Sequence, residues 1–542
     1  MLKKIASWIV ITILLLNLIN VILQTTSFAR ADPKATMEIA EDSCAPNGYS
    51  ALSTAPPMEW NKTYGTEYLE YASSVVQTSD GGYAIAGYVK YMDTWVNFLL
   101  VKTDADGNVQ WNKTYGGGGI YVDEQDYAFS VIQTYDGGYA IAGVKYTYAE
   151  GGDFWLVKTD ACGDMMWNKT YDGAEDDWAY SVIQTGDGGY VIAGYSTSLG
   201  GWLIKTDAFG NLEWNKTYDG ALYSLIQTSD GGYALAGYHD GYWGDAWLVK
   251  TDAHGNMMWS KTYGGTYDEA VVSVVQTSDG GYAIAGYTAS FGAGYADFWL
   301  VKTDVFGNLE WNKTYGGPYS DYATSIVQAV DGGYVIGGST TSFGAGGYDL
   351  WLVKTDTSGN ILWSQTYGGA HNDQAFSLVE TMDGGYAIAG YTESFGAGES
   401  DFWLIKLAPT HLTATLHINP KGLNLWSRGK WITAYIELPE GYDVSDTNIS
   451  SILLNQAITV DQNAPTEIGD YDSDGIPDLM IKFDRAEVIG HILAVTDLPP
   501  RFKTVKLTIT GQLNDETPFQ GNCTIRTIYM SPRVSRTSIF PI

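Results

Sequence analysis

The chain has 542 residues, a formal net charge of −32 and only 17% charged residues. Aromatic residues make up 14% and glycines number 64, which excludes a disordered chain and suits an all-β protein with many tight turns. The acidic balance lacks the basic footprint of a nucleic-acid binder and favours solubility and cation binding.

Residues 1–31 read as a secretory signal peptide. Lys3 and Lys4 supply the positive start, residues 5–23 the apolar run, and Ala29-Arg30-Ala31 a small-x-small cleavage site. Left uncleaved, the same run would tether the protein to a membrane. No second apolar run of that length follows, so secretion or display at the cell surface is expected, with no other membrane segment. Cys44, Cys162 and Cys523 lie far apart and do not make a disulfide scaffold. Residues 32–57 form a linker.

Residues 58–407 are a repeat. DGGY occurs seven times, starting at Asp80, Asp136, Asp187, Asp230, Asp279, Asp331 and Asp383. A tryptophan opening a W-N/S-K/Q-T-Y segment also occurs seven times, at Trp60, Trp111, Trp167, Trp214, Trp259, Trp311 and Trp363. The tryptophans are 45 to 56 residues apart, the size of one four-stranded propeller blade. In one unit, residues 273–277 are strand a, and Asp279-Gly280-Gly281 makes the hairpin turn. Residues 282–287 form strand b, whose Ala283 and Ala285 give a smooth face for the next blade. Residues 298–303 and 309–315 are strands c and d. The first strand d, at Trp60, precedes the first strand a, and the last unit stops after strand c. The expected fold is therefore an all-β, seven-bladed propeller closed by its N-terminal strand, which removes unpaired edges.

Thr206-Asp207-Ala208-Phe209-Gly210-Asn211-Leu212-Glu213-Trp214 resembles the tryptophan-docking motif of quinoprotein-like (PQQ-type) propellers, keeping its G-x-x-x-W part and running one residue short before the glycine. The resemblance implies that each tryptophan packs between neighbouring blades. The DGGY, WLVKTD and WNKTY segments also look like the repeats of secreted prokaryotic β-propeller proteins. Quinoprotein dehydrogenases carry a vicinal cysteine pair, and this chain has none, so neither PQQ nor that activity is expected here.

Several acids precede strand a: Glu70, Asp126, Asp177, Asp268, Asp321 and Asp373. They are expected at a channel mouth, either drawing cations and hydroxyl-rich ligands or bonding their own turns. The DGG and TDxxGN turns are uniform and share one face of the propeller, while the d–a and b–c loops vary and share the other. Variable loops on a rigid scaffold are where binding is expected. Asp123, Glu124, Tyr148, Glu150, Asp176, Tyr242 and Trp243 break the repeat there, and aromatics beside carboxylates fit sugars. Five N-K-T sequons, at Asn61, Asn112, Asn168, Asn215 and Asn312, and two more at Asn448 and Asn522, permit glycosylation, although a repeat residue suited to an edge strand explains the five as well.

Residues 408–542 read as a small β-sandwich, with strands at 412–418, 430–438, 479–483, 505–510 and 521–528. This part resembles C-terminal β domains of prokaryotic surface proteins, from Ile418-Asn419-Pro420 to Gly469-Asp470-Tyr471-Asp472. Within it Asp470, Asp472, Asp474, Gly475, Ile476 and Asp478 follow D-x-D-x-D-G-x-x-D, the spacing of a calcium loop. The aspartates and the Ile476 carbonyl are the expected ligands. Ile481 stands where an EF-hand has glutamate, which points to a loop between strands, with Asp484 offered as the missing ligand.

No G-x-S-x-G elbow, phosphate loop or metal-spaced histidine set occurs in the sequence. The expected function is a secreted or cell-surface binding protein without catalysis, taking a glycan or protein on the variable face. The other reading is a polysaccharide hydrolase using two channel-mouth carboxylates.

Overall fold

The computed structural model describes residues 55–91, 95–116, 125–147, 151–239, 244–409, 411–425, 429–439, 441–455, 457–494, 502–514 and 517–528. The signal segment, most of the linker and the predicted loop residues Asp123, Glu124, Tyr148, Glu150, Tyr242 and Trp243 lie outside them.

The repeat folds into successive four-stranded antiparallel sheets. In the fifth, Glu269–Gln276, Tyr282–Thr288, Asp297–Thr303 and Leu309–Tyr315 are strands a to d. Gln276 pairs with Tyr282, Tyr282 with Thr303, and Thr303 with Leu309. Gly280 turns the a–b hairpin at a φ of +85°, a conformation glycine adopts without a Cβ penalty. Asp279 braces that turn, accepting from the Gly281 amide at 2.9 Å and the Thr277 hydroxyl at 2.5 Å.

The DGG aspartates also hold a second group. The lysine of each WLVKTD strand is buried, and its ammonium meets the aspartate of its own turn. The pairs Lys102–Asp80, Lys158–Asp136, Lys205–Asp187, Lys250–Asp230, Lys302–Asp279, Lys354–Asp331 and Lys406–Asp383 span 2.6 to 2.9 Å. A buried ammonium needs such a partner, because an unpaired charge in this setting is strongly destabilising.

Neighbouring sheets share cores. Ala283, Ala285, Phe298 and Leu300 of the fifth sheet pack with Ile326, Tyr334, Ile336 and Trp351 of the sixth. The strand-d tryptophan reaches the next sheet: Trp259 lies against Gly307, where a Cβ would collide with its indole. The tyrosine four residues on donates to the carbonyl of the same glycine, and six such bonds recur at 2.7 to 2.8 Å. The sequon asparagines have a structural task as well: Asn61, Asn168, Asn215 and Asn312 accept from the indole N–H of a strand-c tryptophan.

The first described strand belongs to the last sheet of the repeat. Met58–Tyr64 pairs antiparallel with Asp401–Leu407, Trp60 facing Lys406 and Tyr64 facing Phe402. Tyr64 then donates to Gly107 of the first sheet, and Ala387, Phe402 and Leu404 share a core with Val75, Ile85 and Val101.

Beyond residue 408 the hydrogen-bonded path changes character. Leu412–Asn419 pairs in parallel with Pro518–Ile528 at its start and antiparallel with Trp431–Glu437 further on. Strands on both sides of it enclose one core, with Phe483, Leu507, Ile509 and Phe519 at most 1% exposed. A helix, Arg485–Ala494, buries Val488 and Ile492 there, an element the strand pattern did not anticipate. Among the described residues no helix is long and apolar enough to cross a membrane.

Candidate functional site

Two rows of acids meet where one sheet abuts the next. Glu70, Asp126, Asp177, Asp321 and Asp373 lie at or near the start of strand a and are at most 1% exposed. Asp268 does not belong with them. It is half-buried, and the next residue, Glu269, takes the equivalent place at 1% exposure. Glu269 accepts from the Thr288 hydroxyl at 2.8 Å and the Gly265 amide at 2.9 Å. Asp373 accepts from the Gly369 amide at 2.7 Å and the Ser394 hydroxyl at 2.6 Å, and Asp321 from Gly317 and Ser342 in the same way. These carboxylates hold the loops in front of them.

The second row was not read from the sequence. Asp153, Asp245, Asp297, Asp349 and Asp401 begin the strand-c run of the preceding sheet and face the first row. A Cβ at Gly316 would collide with both Asp297 and Asp321, which is why glycine follows the strand-d tyrosine there. Burial, first of all, raises the pKa of Asp177 and of Asp349 to about 6, with neighbouring carboxylates adding to it. Glu70, Asp297 and Asp401 are shifted the same way for the same reason.

The variable loops stand at this end. Asp176 is half-buried, with Oδ1 accepting from the Gly152 amide at 3.1 Å, so it fastens one loop to another. Exposed aromatic groups that the sequence reading passed over stand on these loops, among them Tyr267, Tyr295 and Tyr319, at 55%, 78% and 57% exposure. Their loops are fixed from beneath, the Tyr267 amide donating to Ser290 at 2.8 Å and the Tyr319 amide to Ser342 at 3.0 Å.

The acidic loop of the C-terminal part joins Glu467–Gly469 to Asp478–Asp484, two paired strands. Gly475 and Ser473 take positive φ, +95° and +68°, folding the chain back on itself. Carboxylate oxygens of Asp470, Asp472 and Asp478 lie within 4.8 Å of one another, as do those of Glu437, Asp472 and Asp474. Asp478 is 1% exposed, its Oδ2 accepts from the Tyr471 amide at 2.9 Å, and its Oδ1 has no hydrogen-bond donor. Ile476 is exposed, with its amide on Asp474 Oδ1 at 2.8 Å. Asp484 is elsewhere employed, capping the helix through the amides of Ala486 and Glu487. Glu437 comes from the neighbouring strand, opposite Asp478, and burial followed by the Asp474 charge raises its pKa.

No protein-family model and no curated protein matches the chain. Three solved structures illustrate what it is similar to. The WD40 domain of Neurospora crassa Pan2 is 11% identical with a TM-score of 0.40, covering 62% of this chain and 89% of that one. A protein of unknown function from Dyadobacter fermentans is 12% identical at 0.40, over 66% and 99%. Another of unknown function, from Bacteroides caccae, is 13% identical at 0.32, over 46% and 82%.

Proposed function

We propose that the chain is a secreted or cell-surface binding protein without catalysis, built on a closed seven-bladed β-propeller and a small β-sandwich. The Met58–Tyr64 pairing and the Tyr64 bond to Gly107 support closure, since that bond repeats between last and first sheets the tyrosine–glycine contact made at five other junctions. The end bearing the d–a and b–c loops takes a glycan or a protein. One observation carries this: exposed Tyr267, Tyr295 and Tyr319 crown that end, while the carboxylates beneath them are enclosed and engaged with their own loops. Aromatic rings on braced loops offer sugar faces a flat apolar surface at little entropic cost. Asp126 and Asp177, the acids best placed by sequence for hydrolysis, are at most 1% exposed and so cannot straddle a glycosidic bond without loop opening.

The C-terminal loop takes calcium through Asp470, Asp472, Asp474 and Asp478, with the Ile476 carbonyl and Glu437 completing an oxygen-rich shell. The enclosed Asp478 Oδ1 supports this reading, because a buried carboxylate oxygen without a donor is costly unless a cation meets it.

A glycan array read with the mature protein, paired with product analysis of the bound sugars, tests the function. Binding without cleavage, weakened about tenfold or more by Tyr295→Ala or Tyr319→Ala, is the expected result, a loss of one stacking contact. Turnover that disappears in Asp126→Asn would overturn it.

A further inference from the structure

The junction of the second and third sheets departs from its counterparts. The strand-d tyrosine is followed by glycine at Gly65, Gly116, Gly264, Gly316 and Gly368, each pressed against the carboxylates or amide of the two facing rows. After Tyr171 the residue is Asp172. It adds a third carboxylate where the others have at most two. Asp219 is the only other such exception, and its junction has Gly200 and Gly220 in place of both acids.

Carboxylate oxygens of Asp153, Asp172 and Asp177 lie within 4.8 Å of one another. They come from three places: the strand-c run of the second sheet, the d–a loop, and strand a of the third sheet. Asp177 is fully enclosed, at 0% exposure. Its Oδ2 accepts from the Gly173 amide at 2.6 Å, but its Oδ1 has no hydrogen-bond partner. The neighbouring Ser196 hydroxyl meets Ser198 Oγ at 3.1 Å. A buried carboxylate held beside two further carboxylates is unfavourable unless a cation or a proton neutralises it.

We propose that Asp153, Asp172 and Asp177 hold a calcium ion between the second and third sheets. Calcium takes oxygen ligands in irregular sets at 2.3–2.6 Å, so ligand atoms separated by up to about 5 Å fit around it, whereas magnesium demands a tight octahedron. Loop carbonyls and water complete the shell. The ion bridges two sheets through side chains and pins the loop that carries Asp176, so it sets the order of one sector of the binding end.

The test uses the mature chain, freed of metal by chelation, with the C-terminal loop disabled by Asp472→Asn and Asp474→Asn. Calorimetric titration with calcium chloride is expected to find one ion per chain. Asp172→Gly, which restores the glycine of the other junctions, and Asp153→Asn each weaken that binding at least tenfold. Asp172 is exposed, so its variant keeps the fold, which circular dichroism without calcium verifies. No binding at millimolar calcium in the loop-disabled chain overturns the proposal, as does binding that neither substitution alters. The same titration with the C-terminal loop intact reads that second site separately.

Discussion

Asp230→Ala and Asp279→Ala remove the same residue from equivalent turns, yet their costs should differ. Each loses a turn hydroxyl, from Thr228 or Thr277, and a turn amide, from Gly232 or Gly281. These losses cancel in the comparison. What remains is the lysine. Lys250 is left with the Thr251 carbonyl at 2.8 Å and the weak Met258 thioether at 4.0 Å. Lys302 keeps the Thr303 carbonyl and the Glu310 carboxylate, both at 2.9 Å. Both ammonium side chains are 5% exposed, while the aspartates are 54% and 57% exposed, so solvent screens each pair on one side. Breaking a fully buried pair costs about 3–5 kcal/mol. Discounted for that exposure, Asp230→Ala should cost about 3 kcal/mol, and the surviving Glu310 contact should recover about 1 kcal/mol for Asp279→Ala. Scanning calorimetry of the two variants reads the difference as roughly 2 °C in melting temperature, given the size of the folding unit. Met258→Glu, which supplies the missing carboxylate, should recover part of the loss in Asp230→Ala. Equal losses, or a larger loss for Asp279→Ala, would refute the reasoning.

Stability should peak at mildly acidic pH. Asp177 and Asp349 near 6 and Glu380 near 7 are all raised by burial, so their contribution is complete below about 4 and is lost as pH rises through 6–7. Asp80, Asp136 and Asp187 sit near 2, held down by hydroxyl, lysine and amide partners against burial, so theirs is present above about 4 and lost as pH falls toward 2. In chelator the melting temperature should therefore fall between pH 5 and 8, and a flat profile would contradict these assignments. Calcium at a hundredfold its Kd should stabilise the C-terminal part by about 2.7 kcal/mol, and urea melts should show Glu437→Gln and Asp478→Asn losing that increment.

Much of the fold was legible because each element carries its own local signal. DGG marks a turn, alternating alanines mark a close face, and the early Trp60 strand announces a partner at the far end of the repeat. The buried Lys–Asp pairs were not legible: Lys302 and Asp279 are joined only once Tyr282 stands opposite Thr303. Asp268 stands in the expected row where the structure places Glu269. Distance from the strand-d tyrosine would have settled it, since Glu70, Asp177, Glu269, Asp321 and Asp373 all lie six residues beyond Tyr64, Tyr171, Tyr263, Tyr315 and Tyr367. Glu437 was missed because it reaches the acidic loop across a strand pairing rather than along the chain, and Asp484 was overvalued because its role as a helix cap depends on a helix that the strand pattern did not anticipate.

The proposed closure of the repeat by the Met58–Tyr64 strand underlies the rest of the account, since the proposed binding end needs rigid loops. Hydrogen exchange of the intact chain, read by mass spectrometry on the peptide spanning Met58–Tyr64, tests it directly. Paired with Asp401–Leu407, its amides should exchange as slowly as those of Leu309–Tyr315, the equivalent strand of the fifth sheet. Complete exchange within seconds, while Leu309–Tyr315 stays protected, would contradict it.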